Sequence, residues 1–115
     1  MSYTLKISVY NNRDYEQPFI LKNSDGSAFN LTGCTLSFGY ANDEKTLAIH
    51  TTGNPSNKCL TITNAVAGEF KLSLPYSVLK TLAVGAYTHD LIVTDATTKR
   101  TGVWGGTMQV KKGVA

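Results

Sequence analysis

The stretch that decides the fold is residues 23–41, NSDGSAFNLTGCTLSFGYA. It opens on a turn signal, Asn23-Ser24-Asp25-Gly26. An aspartate side chain bonds backbone amides just ahead of it, and glycine takes the positive φ that a tight turn needs. Phe29 and Leu31 then share a parity and can dip back into a core as a short staple. Thr32-Gly33 stops that segment. Strict alternation follows: Cys34, Leu36, Phe38 and Tyr40 point one way, Thr35, Ser37 and Gly39 the other. A period of two with one apolar side is the pattern of a half-buried strand, not of a helix.

The same rhythm extends toward both termini. Upstream, Tyr3, Leu5, Ile7 and Val9 share a face opposite Thr4, Lys6 and Ser8, and residues 11–14 break the strand. Tyr15, Gln17, Phe19 and Leu21 resume it. Pro18 donates no hydrogen bond to a ladder, so this strand starts late or lies at an edge. Downstream, residues 46–52 form a strand after a polar turn at 42–45, and residues 53–57 form a loop. Leu60 and Ile62 then point inward, with Cys59, Thr61 and Thr63 outward. Phe70, Leu72 and Leu74 alternate with Glu69, Lys71 and Ser73 until Pro75 ends the strand. Leu79 and Leu82 lie three apart, the spacing of one helical turn. Tyr87, His89, Leu91 and Val93 alternate again. Trp104, Met108 and Val110 close the chain across Gly105-Gly106, a pair that signals a bulge or a close backbone approach.

Turn signals recur about every ten residues in such a chain, which is the layout of an antiparallel sandwich. The expected fold is all-β: a single domain over residues 1–115, with seven to nine short strands and at most one helical turn near residues 76–82.

Composition limits the function classes. The chain has 115 residues, 42% hydrophobic and 17% charged, enough for one ordinary core. No apolar run approaches the roughly 18 residues of a membrane helix. The N-terminal ten residues alternate rather than presenting a basic start and an apolar block, so they do not read as a secretory signal. A chain that folds in a cytosol is expected. The net charge of +3 and pI near 8.9 are mildly basic. The cations are scattered; only Lys99-Arg100 and Lys111-Lys112 are local pairs. Solvated lysines explain that pattern better than a nucleic-acid stripe. Cys34 and Cys59 read as small semi-buried free thiols on opposite faces of their strands.

Reactive chemistry is sparse. His50 and His89 have no companions at metal-ligand spacing. His89 and Asp90 are neighbours on a strand and so face opposite sides, which prevents a catalytic pair. Asp25, Asp43, Glu44 and Asp95 fall in turns, where capping of backbone amides accounts for them more simply than calcium. No catalytic, cofactor or metal residue is assigned. Tyr10, Tyr76 and Trp104 are the aromatics that exposure would make useful for sugar or protein contacts; the parity of Trp104 favours packing. Open edges of a sandwich offer a further way to dock.

The order FILKNSDGSAFNLTGCTLSF (19–38), LTITNAVAGEFKLSLP (60–75), LAVGAYTHDLIVTD (82–95) resembles a small immunoglobulin-like domain of tailed-bacteriophage virions, such as the N-terminal domain of upper baseplate proteins and related short tail or head proteins. Asp25-Gly26, Leu31-Thr32-Gly33, Gly68-Glu69-Phe70 and Gly85-Ala86-Tyr87 with Asp90-Leu91 carry it, over most of residues 15–110. They are turn and core positions. Two departures stand out: Asn12-Arg13-Asp14 where the family often has Arg-Gly-Asp, and His89 where a tyrosine usually precedes the aspartate. Upper baseplate proteins continue toward receptor-binding subunits, whereas this sequence stops at Ala115; a freestanding module would suit head decoration or another tail attachment. The resemblance implies an immunoglobulin-like sandwich and a non-enzymatic virion component, made in the bacterial cytoplasm. Its implied partners are capsid, tail or baseplate subunits, in multiple copies, with no nucleic acid, membrane or cofactor. The alternatives are a carbohydrate-binding module, which needs a row of exposed aromatics, and an inhibitor-like binding domain using the loop at residues 50–57.

Overall fold

The computed structural model describes residues 3–43, 45–55 and 57–114. Two sheets pack face to face. The larger holds β1 (Tyr3–Thr4), β2 (Ile7–Tyr10), β4 (Thr35–Ala41), β5 (Thr46–Thr51), β8 (Gly85–Thr94) and β9 (Arg100–Lys111). Its order is β1-β9-β8-β4-β5, with β2 also on β9. The smaller is β3 (Tyr15–Ile20), β7 (Glu69–Leu74) and β6 (Leu60–Asn64), with β7 central. A four-residue helix, α1 (Tyr76–Leu79), follows Pro75 and buries Val78 and Leu79. This all-β sandwich is the one the period of two predicts.

The alternating residues meet in the middle. Leu36, Phe38, Leu72, Leu74, Leu79, Leu91, Met108 and Val110 are fully buried. Each such side chain is worth about 1.5–3 kcal/mol of transfer free energy. Trp104 is their aromatic hub, 4.7 Å from the Phe19 ring and 6.0 Å from Phe70.

The structure departs from the period in three places, and it decides between the two placements open to β3. The first strand is two pieces, and both run parallel to β9, with Tyr3 opposite Trp104 and Ile7 opposite Met108. Tyr3 is exposed at the sheet edge, Ile7 and Val9 are buried, and Leu5 packs half-buried against the core. β3 does not start late; it lies at an edge, as Pro18 requires. The bulge falls just before the glycine pair, at Val103: Leu91 faces Trp104 and Ile92 faces Gly102. A bulge sets two residues against one, and so both Val103 and Trp104 turn inward. Finally, Cys59 is buried, not outward. It precedes β6, where alternation has not begun. Asn57 Oδ1 accepts from the Cys59 and Leu60 amides at 3.1 and 3.0 Å, and the Ser73 amide donates to Cys59 O at 2.8 Å, which together turn the thiol inside.

Candidate docking surfaces

The strand directions give the sandwich two unlike ends. One carries the 11–14 and 42–45 turns, α1 and the chain after β9; the other carries the 21–34 excursion, the 65–68 turn and the 95–99 turn. Both turns with a leading aspartate use it as a cap. Asp25 Oδ1 accepts from the Ser27 amide at 2.9 Å and its hydroxyl at 2.6 Å. Asp95 Oδ1 accepts from the Thr97 amide and hydroxyl at 2.9 and 2.6 Å, and from the Lys99 amide at 3.0 Å. These bonds, side-chain hydroxyls foremost, hold both carboxyls below their ordinary pKa. Asp43 is exposed in the β4–β5 turn, and Glu44 lies outside the described residues. Among the described residues, no group of three or more His, Cys, Asp or Glu stands together as a metal site would.

The histidines lie inside, 6% and 4% exposed, on either side of β4. His50 stacks on Tyr40 at 6.0 Å and its Nδ1 accepts from the Lys58 amide at 3.3 Å. His89 Nε2 lies 2.8 Å from Leu5 O. A carbonyl only accepts, so Nε2 carries the proton and donates. Burial pushes the His89 pKa down, against the Leu5 and Thr107 backbone groups and the Asp90 charge, which favour the cation. Asp90 itself is on the outer face, as alternation requires.

The thiols sit apart. Cys34 precedes β4 at one end and Cys59 precedes β6 at the other. Burial pushes the Cys59 thiol up to about 12, far from a reactive thiolate. Trp104 is in the core, whereas Tyr10 and Tyr76 are 40% and 48% exposed. The 50–57 stretch starts inside the sheet: His50 and Thr51 belong to β5, and the Thr52 amide donates to Leu36 O at 2.9 Å.

The open surfaces are the edges and one face. Four strand edges are exposed by the topology: β1–β2, β5, β3 and β6. Each carries a feature that blunts an edge. β1–β2 is interrupted, β3 carries Pro18, and β6 is short with a register shift between Ile62 and Asn64. β5 breaks register with β4 between Tyr40 and Ala41, but it has neither charge nor proline, and its Ile49 is 62% exposed. Beside it, Ser37, Gly39, Asp90, Ile92 and Arg100 line a shallow hollow of about 330 Å³ on the outer face. Gly39 makes that hollow, since a side chain there would meet Ile49.

No protein-family model matches the chain, and no curated protein matches it. Solved structures do. The N-terminal domain of phage TP901-1 ORF48 is 13% identical with a TM-score of 0.57, and the match covers 97% of this chain and 100% of that one. A chain from the complex of ICOS with ICOS-L and an anti-ICOS-L VNAR domain is 13% identical with a TM-score of 0.55, over 94% of this chain but 54% of that one. At such identity the likeness is one of fold. The chain is an immunoglobulin-like β-sandwich.

Among the described residues, its sheets end in open strands whose outer backbone groups have no ladder partner. Sequence reasoning missed the His89–Leu5 contact altogether. Its only trace was the glycine pair, because the two partners lie 84 residues apart.

Proposed function

We propose that the chain is a non-enzymatic structural component of a tailed-phage virion, attached to capsid, tail or baseplate subunits by loops and edge strands. The observation that carries this is the end-to-end correspondence with the ORF48 N-terminal domain, in a chain whose turn motifs already resemble that class of domain. The open β5 edge and the exposed Ile49 beside it supply a means of attachment without any further element. In a virion the copy number would follow the symmetry of the site occupied.

Mass spectrometry of gradient-purified virions tests the reading. The chain is expected at a fixed stoichiometry to a capsid or tail subunit. Its absence from intact particles that still assemble sinks the proposal.

A further inference from the structure

The two tandem cation pairs of the sequence have opposite surroundings. Lys99-Arg100 lies among carboxylates: the Lys99 amide bonds Asp95, and Arg100 shares the outer-face hollow with Asp90. Lys111-Lys112 lies at the other end, where Lys111 and Arg13 share the Tyr10 ring and Lys80 closes α1. Two of the described carboxylates there have a bonding partner. Asp14 Oδ1 accepts from the Tyr76 amide at 2.6 Å, and Glu16 Oε1 pairs with Lys71 Nζ at 3.3 Å. Asp43 shares the β4–β5 turn with Lys45.

The cations are also held in place. The Arg13 guanidinium lies 4.3 Å from the Tyr10 ring centre, and its Nε donates to Asn12 Oδ1 at 3.0 Å. Stacking and that single bond fix the plane and leave the two terminal nitrogens for another acceptor. Lys111 Nζ is 5.8 Å from the same ring. The chain after β9 cannot trail away: the Asn11 amide donates to Lys111 O at 2.9 Å, the Gly113 amide donates to Asn11 Oδ1 at 3.2 Å, and Gly113 packs on the Asn12 side chain. Lys80 Nζ lies 5.6 Å from the Tyr76 ring, and the Asp14–Tyr76 bond joins the two groups into one surface.

We propose that this end, Tyr10, Arg13, Tyr76, Lys80, Lys111 and Lys112, takes an acidic surface of a partner protein. The inference rests on the docking function above and names its partner chemistry. A pre-organised guanidinium fork suits carboxylates, and ammonium groups beside it steer an acidic partner inward. Nucleic acid fits less well. Its aromatic contacts come from ring faces that stack on bases, and the Tyr10 ring already carries Arg13.

The test is fluorescence anisotropy at low salt with a labelled peptide of alternating glutamate and serine. Controls are a lysine–serine peptide and a short DNA duplex. Arg13→Glu with Lys111→Glu should weaken the glutamate peptide about tenfold or more, while Lys99→Glu with Arg100→Glu changes it by less than about twofold. Amide shifts in NMR should gather at residues 10–14 and 111–113. Lys80→Glu supplies a second variant remote from the 11–14 turn, should the double change disturb folding. Equal weakening by both double variants, or no binding, overturns the proposal; tighter binding to the duplex replaces it with a nucleic-acid surface. Virion composition is measured separately. Peptide binding by a chain absent from virions leaves this surface standing and removes the phage reading; presence in virions without peptide binding does the reverse.

Discussion

Two places in the molecule lay one backbone directly over a glycine, and they are fastened differently. At Gly68 the excursion of residues 21–31 returns to the sheet: the carbonyls of Leu21 and Phe29 both occupy the space a Cβ would fill. The Leu21 amide donates to Gly68 O at 2.8 Å, the Phe29 amide to Leu21 O at 2.9 Å, and the Leu31 amide to Ala65 O at 2.7 Å. At Gly106 the Leu5 carbonyl lies where a Cβ would be, between the two short parallel strands. The Leu5 amide donates to Gly105 O at 2.9 Å, but the carbonyl is held by a side chain, His89. One crossing is therefore all backbone and the other depends on a titratable ring. The first should ignore mild acid; the second should not.

The largest effect is expected at the backbone crossing. Gly68→Ala meets two carbonyls and also forces a φ of +70° on an L-residue. Left-handed backbone costs about 1–2 kcal/mol and overpacking against rigid backbone about 1–3 more. A loss of about 3 kcal/mol is expected in urea unfolding monitored by tryptophan fluorescence, since Trp104 reports the core. A loss below about 1 kcal/mol would mean that the excursion lifts away freely and that Leu21 and Leu31 contribute little.

Gly106→Ala comes next, at about 2 kcal/mol by the same overpacking scale. Its φ is ordinary, and the displaced segment is terminal, so relief is available by local opening. Hydrogen exchange separates the cases: amides of Leu5 and β2 should lose protection in this variant while those of β6 and β7 keep theirs. Uniform loss across both sheets would break the distinction between the crossings.

Much of this architecture is legible in residues, and the rest is not, for a physical reason. Alternation at Leu36–Tyr40, Phe70–Leu74 and Tyr87–Val93 specifies which side of each strand is buried, because burial on a pleated strand has a period of two. Leu31 goes to the core as the dip predicts, while Phe29 stays half-buried. What alternation does not specify is the partner of each strand. That the first strand runs parallel to the last is decided across about a hundred residues of chain. Cys59 misleads for a related reason: it lies outside the strand, and the Asn57 side chain sets its direction. The docking surface was half legible. The pairs Lys99-Arg100 and Lys111-Lys112 look alike in sequence, and only the fold shows that Arg100 shares a hollow with Asp90 while Lys111 joins Arg13 at the Tyr10 ring.

The pH dependence sharpens the comparison further. The folded chain holds His89 below its ordinary value of 6.5, chiefly by burial. Between 6.5 and the lower folded value, the unfolded chain binds the proton more readily, so stability rises with pH through that window. It is fully present above 6.5 and is lost as pH falls through the folded value. Asp25, at the tip of the other excursion, is held below its ordinary 3.8, and its contribution is lost only as pH falls below that. Thermal unfolding between about pH 7.5 and pH 5 should therefore show a decline that His89→Gln flattens, because an amide still donates to Leu5 O and does not titrate. The protection factor at Leu5, taken against the intrinsic exchange rate at each pH, should fall in that range while that at Leu31 stays constant. A decline of equal slope in the variant would assign the acid sensitivity to groups other than His89.

The smallest effect isolates what is mixed at Gly68. Gly26 has a φ of +89°, yet nothing lies within 4 Å of where its Cβ would be. Its turn has a twin. In one, the Asn23 amide donates to Ser27 O and the Gly26 amide to Asn23 O; in the other, the Asp95 amide donates to Lys99 O and the Thr98 amide to Asp95 O. The twin places Thr98 at a φ of 66°, a β-branched residue in the left-handed region. The fold thus already tolerates a side chain in this conformation. Gly26→Ala should cost about 1 kcal/mol, the left-handed term without crowding, and Thr98→Gly should recover a similar amount at the other turn. Subtracting the Gly26 value from the Gly68 value gives the cost of packing two carbonyls over a glycine. If the two substitutions cost the same, φ alone accounts for Gly68, and the two crossings are not equivalent in the way their geometry implies.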